Sequence, residues 1–129
     1  MSLEAAVVLS PSGEVLHWHF PPGRTVAGLP DSSDLWIVLW RERARLGGVA
    51  HTHPGRGIPS PSHEDVTTFA ACEAALGSRL DWWIATEDSL VLYRWVGPGR
   101  LDYRPSLPRR EQGLGWLEEL RELSRRSPP

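Results

Sequence analysis

The stretch His51–Asp65, HTHPGRGIPSPSHED, leaves this chain few ways to fold. It requires an extended segment, then an irregular loop, then a helix start. Gly48-Val49-Ala50 runs into His51 as a short strand. Residues i and i+2 of a strand share a face, so His51 and His53 can present two imidazoles to one ion. Residues 54–61 hold three Pro and two Gly, which excludes regular structure. Pro61-Ser62 then opens a helix over 62–76, with Val66, Phe69, Cys72 and Leu76 on one stripe and Gly77 as its stop. Asp65 falls on the first turn and points back to the loop. Two imidazoles and one carboxylate leave a position for water, the layout of a catalytic zinc site. A plainer reading competes. Ser62 and Asp65 also spell a capping box, and an H-x-H pair alone is common on half-exposed strands. Spacing alone leaves both readings open.

At 129 residues the chain is expected to be one domain around one core. Net charge is −2, so no broad basic field exists for nucleic acid or a membrane surface, although Arg41, Arg43 and Arg45 cluster on one segment. There is no lysine and no asparagine, which a biased genome composition explains. The chain therefore offers only its N-terminus for isopeptide modification. Cys72 is the single cysteine, which excludes an internal disulfide and a thiolate cluster. Its apolar neighbours make it a small core residue. No stretch reads as a membrane span or a signal peptide, so the cytoplasm is the expected location.

Periodicity predicts the other elements. Residues 3–9 and 14–20 form a hairpin around Ser10-Pro11-Ser12-Gly13, with Leu16, Trp18 and Phe20 on one face. His17 and His19 lie opposite as a solvent-facing or edge pair. They make a second H-x-H, but no carboxylate follows in a loop-to-helix setting. After a loop at 24–32, Ser33 or Asp34 caps a helix over 35–46, with Leu35, Trp36, Leu39, Trp40 and Leu46 buried. Strands follow at 79–86 and 89–95, with an edge strand at 100–103 and a Pro-broken connector at 104–109. A helix at 110–126 carries Leu114, Leu117, Leu120 and Leu123 as a stripe that must cover the sheet or a second subunit. The organisation is a core over 1–108, a C-terminal helix over 109–129 and a frayed tail.

His51-Thr52-His53-Pro54, a short loop, then Pro61-Ser62-x-x-Asp65 resembles the JAMM motif of the MPN/JAB-domain metalloproteases, in its prokaryotic RadC-like and JAB branch. The loop is one residue longer than the usual pattern. The resemblance spans roughly residues 3–95 and is sharp at 51–65. It implies a single α/β domain of the MPN/JAB type, a mixed β-sheet flanked by helices, similar to cytidine deaminases. It also implies one zinc per chain, held by His51, His53 and Asp65. The activity implied is hydrolysis of a peptide or isopeptide bond, at the C-terminus of a ubiquitin-like or other small carrier protein. Zinc brings the pKa of its bound water near neutral. Glu4, on the first strand about where the family keeps its glutamate, becomes the general acid/base, ahead of Glu14 and Glu42. Ser62 would donate a hydrogen bond to the oxyanion. Thr52 faces away from the metal, and His63 is a surface residue.

Other functions compete with this one. A non-catalytic MPN-like interaction module would usually have lost a ligand, and here His51, His53, Ser62 and Asp65 are all present. A RadC-like, DNA-associated role lacks a dense basic patch. An amidohydrolase barrel needs roughly twice this length. The expected partner is a protein or peptide, with Trp-rich strands walling its groove. There is no membrane partner, and homodimerisation is left open.

Overall fold

In a computed structural model, residues 4–20, 33–106 and 114–126 are described. The expected loop at 24–32, the start of the C-terminal helix and the terminal Ser127-Pro128-Pro129 lie outside them. Six strands and three helices follow in the order β1 (Ala6–Leu9), β2 (Val15–His19), α1 (Ser33–Arg41), β3 (Gly48–Thr52), α2 (His63–Leu76), β4 (Asp81–Ala85), β5 (Leu90–Trp95), β6 (Tyr103–Ser106) and α3 (Trp116–Arg125). The strands form one mixed sheet, β2-β1-β3-β4-β5-β6. Among the described residues only β3 and β4 run parallel, and α2 connects them. Such a crossover is what parallel pairing requires.

Alternation along the strands divides the core in two. Ala6, Val8, Val49, Trp82, Ile84 and Val91 pack with Leu35, Val38 and Leu39 of α1 and Phe69 of α2. Ala5, Val7, Leu9, Ala50 and Ala85 face the other way, onto Trp116, Leu117 and Leu120 of α3. The Leu stripe of the C-terminal segment thus covers its own sheet. Fully burying a side chain such as Phe69, Leu39 or Ile84 contributes about 1.5–3 kcal/mol.

Several expectations are corrected. Trp40 is 46 % exposed and Val38 is buried: α1 (Ser33–Arg41) turns Leu35, Val38 and Leu39, spaced i, i+3, i+4, to the sheet. A bulge in the β1–β2 ladder, where Val8 faces His17 but Leu9 faces Val15, splits the expected face of β2. Leu16 packs with the first cluster, whereas Trp18 and Phe20 pack with the second. His19 is not solvent-facing. Its register opposite Ala6 turns it inward, and it is buried. Burial lowers the pKa of both His17 and His19. The connector expected at 104–109 is in part β6, which contains Pro105. A proline is tolerated there because β6 is an edge strand.

One buried carboxylate ties α2 to the sheet. Glu73 accepts hydrogen bonds from the Leu80 N–H at 2.8 Å, the Trp82 indole at 2.9 Å, Arg79 at 2.9 Å and the Tyr103 hydroxyl. Trp82 also stacks on Phe69 with ring centroids 4.3 Å apart. Trp83 meets Trp116 edge-on. These strand tryptophans are therefore committed to packing rather than to walling a groove.

Candidate metal centre

The site forms where β3 ends and α2 begins. Ala6 pairs with His51 across the sheet, so Glu4, two residues earlier, shares the face of that histidine. His51 is fully buried and His53 has 16 % of its side chain exposed. The His53 backbone N–H donates to Ala85 O at 2.9 Å, which carries the β3–β4 pairing one residue past the strand.

The helix start brings the third group. Ser62 caps α2, and its side chain accepts from the Asp65 N–H at 3.0 Å. Asp65 Oδ2 in return accepts from the Ser62 N–H at 3.0 Å, completing the capping box. The same oxygen lies 3.0 Å from His53 Nε2 and 3.6 Å from His51 Nε2. The two Nε2 atoms are 3.1 Å apart. The two readings of this stretch are therefore compatible: the cap orients the carboxylate, and the carboxylate faces the imidazoles.

These distances test the fit of an ion. Tetrahedral ligands about 2.0–2.1 Å from a metal stand roughly 3.3–3.4 Å from one another. The observed 3.0, 3.1 and 3.6 Å bracket that spacing. Two imidazole nitrogens and one carboxylate oxygen suit a transition metal and not the all-oxygen shells of calcium or magnesium. Among the described residues, His51, His53 and Asp65 are the one group of three such side chains close enough to share an ion.

Electrostatics agree with the geometry. Burial alone would raise the Asp65 pKa, but the His51 and His53 imidazoles beside it and the Ser62 N–H hold it well below the usual carboxylate range. Burial lowers the pKa of His51, keeping its imidazole neutral and able to ligate. Glu4 is only 3 % exposed, and desolvation, reinforced by the negative charge of Asp65, pushes its pKa up to about 9. Glu4 Oε1 and His51 Nδ1 are both buried without a hydrogen-bonding partner among the described residues. The rival carboxylates lie elsewhere: Glu14 is exposed, and Glu42 pairs with Arg45 at 2.6 Å. Thr52 points to the opposite face and accepts from the Ala5 N–H at 3.1 Å, and His63 is exposed.

Sequence reasoning missed how the 54–61 loop is held. Thr86 Oγ1 donates to Gly57 O at 2.7 Å, the Gly57 N–H donates to Asp88 at 2.8 Å, and the Glu87 N–H donates to Gly55 O at 3.1 Å. The Tyr93 hydroxyl donates to Pro59 O at 2.8 Å. Gly57 has φ +92°, which explains a glycine between two anchored groups. These partners stand about thirty residues from the loop, where no local pattern announces them.

Fold and site together define a mixed α/β domain with a preformed two-histidine, one-aspartate group and a buried glutamate on the same sheet face. No family model matches the chain, and no curated protein matches it. Among the described residues, no helix is long and apolar enough to cross a membrane.

Proposed function

We propose that this chain is a zinc-dependent hydrolase of peptide or isopeptide bonds, of the JAMM type that its motif resembles. The observation that carries the reading is the convergence of His51 Nε2, His53 Nε2 and Asp65 Oδ2 within 3.6 Å of one another. A zinc ion held by these atoms supplies Lewis-acid chemistry and brings the pKa of water towards neutral. Glu4 moves the proton: it takes one from the attacking water and hands it to the leaving amine. Its mostly apolar surroundings favour the protonated form, as the second half of that task requires. The Ser62 hydroxyl hydrogen is left to steady the developing oxyanion, because in the cap its oxygen acts as acceptor. The substrate class follows the resemblance: a small carrier protein of the ubiquitin-like kind, cut at its C-terminal tail.

Elemental analysis of the purified protein beside Asp65→Ala tests the site. About one zinc per chain, lost in the variant, is expected. Ubiquitin-like proteins with short C-terminal extensions then test the activity, with Glu4→Gln as the metal-loaded, inactive control. A wild-type protein that takes up no zinc on reconstitution would refute the catalytic reading. Equal cleavage by Glu4→Gln would remove Glu4 from the mechanism.

A further inference from the structure

We infer that Arg121 of α3 is a positioning residue for the metal centre. It fixes the turn at 86–89 from which the metal-site loop hangs. The inference rests on the metal reading above and extends it to a helix that supplies no ligand.

Arg121 is buried, which is unusual for an arginine and requires acceptors. Its Nε donates to Thr86 O at 2.9 Å and its Nη2 to Ser89 O at 3.3 Å, while Nη1 meets Glu118 at 2.6 Å. The planar fork thus clamps both ends of one turn, a geometry an ammonium group cannot reproduce. That turn in turn grips the loop through Thr86 to Gly57, Asp88 to Gly57 and Glu87 to Gly55. The residue before the turn, Ala85, accepts from the backbone of His53 itself. Arg121 and Ser124 also line a small cavity together with Thr52, His53 and Thr86. A chain of backbone and side-chain hydrogen bonds therefore runs from α3 through Thr86 and Ala85 to a candidate ligand. The exposed Arg125–Glu87 pair at 2.7 Å reaches the same turn but, as a surface pair, contributes little.

The carbonyls that Arg121 engages belong to the turn. A residue of similar length without donors would keep the packing of α3 and lose only the clamp. The test compares wild type with Arg121→Met, Arg121→Lys and Thr86→Val, all in the full chain. Cobalt(II) replaces the metal, and its visible absorption reports affinity and ligand geometry. Amide exchange at Gly57 and Glu87 is read in the metal-free protein. Arg121→Met is expected to weaken cobalt binding by about 10- to 100-fold, the range for residues that orient ligands. It should also shift the cobalt bands and expose the Gly57 amide while Val49 in β3 stays protected. Arg121→Lys should recover part of the affinity. Thr86→Val, which removes one of the three links between the turn and the loop, should repeat the effect in part without touching α3. Unchanged affinity and bands in both Arg121→Met and Thr86→Val would overturn the inference. So would a loss of protection spread evenly over the sheet, the mark of a merely structural residue. A wild type that binds no cobalt would refute the metal reading separately. The exchange data alone would then decide whether α3 orders the loop: selective exposure of Gly57 supports it, and unchanged exchange overturns it.

Discussion

Glu73→Leu should destabilise this protein by about 4 kcal/mol. The substitution roughly keeps side-chain volume, so it isolates hydrogen bonding from cavity formation. It strands three buried donors at once: the Leu80 N–H, the Trp82 indole and the Tyr103 hydroxyl. Each unsatisfied buried donor costs about 1–3 kcal/mol. Arg79 adds little, since its side chain is half in solvent and finds water. Three such costs, reduced because leucine is spared the desolvation of a buried carboxylate, land near the 3–5 kcal/mol typical of breaking a buried charged cluster. Domains of this kind have only about 5–15 kcal/mol in total. Urea unfolding followed by tryptophan fluorescence reads the effect. At a slope of roughly 2 kcal/mol per M, the midpoint should fall by about 2 M with the slope unchanged. Adding Tyr103→Phe to Glu73→Leu removes one stranded donor and should restore about 1 kcal/mol. A loss below about 1 kcal/mol for Glu73→Leu, or no recovery in the double variant, would refute the reasoning.

Other outcomes follow from the site and its surroundings. Ser62→Ala should cost about 1 kcal/mol of stability through the lost cap but keep the metal, whereas Asp65→Ala should lose both; calorimetry beside metal analysis separates them. The metal-free protein should lose stability as pH rises from about 4.5 towards about 9. The folded state holds the Glu4 proton more tightly than the unfolded chain, so its contribution is complete below the unfolded pKa and falls by at most about 1.4 kcal/mol per pH unit between the two values. Urea midpoints of wild type against Glu4→Gln should show this slope vanish in the variant. Leu39→Ala should cost about 2–5 kcal/mol and Trp40→Gln less than about 0.5 kcal/mol, so the order of their melting temperatures checks the phase of α1.

The convergence of the candidate ligands was legible because each obeys a local rule. His51 and His53 share a strand face by alternation, and Asp65 sits where a capping box puts it. Glu4 was legible only through resemblance, and its position opposite β3 depends on a pairing 45 residues away in sequence, Ala6 with His51. What stayed hidden were long-range and phase-dependent features. Trp40 and Val38 exchanged roles because the apolar run 35–40 fits more than one helical stripe, and packing on the sheet selects Leu35, Val38 and Leu39. Leu16 left its expected face because a bulge is a property of two strands rather than one. The acceptors of Arg121 and the donors of Glu73 are set by tertiary contact, and an arginine among glutamates on a helix reads locally as solvated.

The two histidines sit at the end of a strand paired on both sides, and the aspartate is locked by its own helix cap. Strand pairing and the cap, rather than the ion, set where these three side chains stand. On the proposed reading, a metal bound there would be a guest of the fold, unlike the folding nucleus that it is in small zinc modules. Its binding free energy adds to stability by mass action, in proportion to the logarithm of free metal. If the proposed metal-dependent activity holds, a chelator should abolish it without unfolding the protein, and returning the ion should restore it without refolding. In a cell, such a chain could persist intact through metal scarcity and respond to resupply at the speed of ion binding.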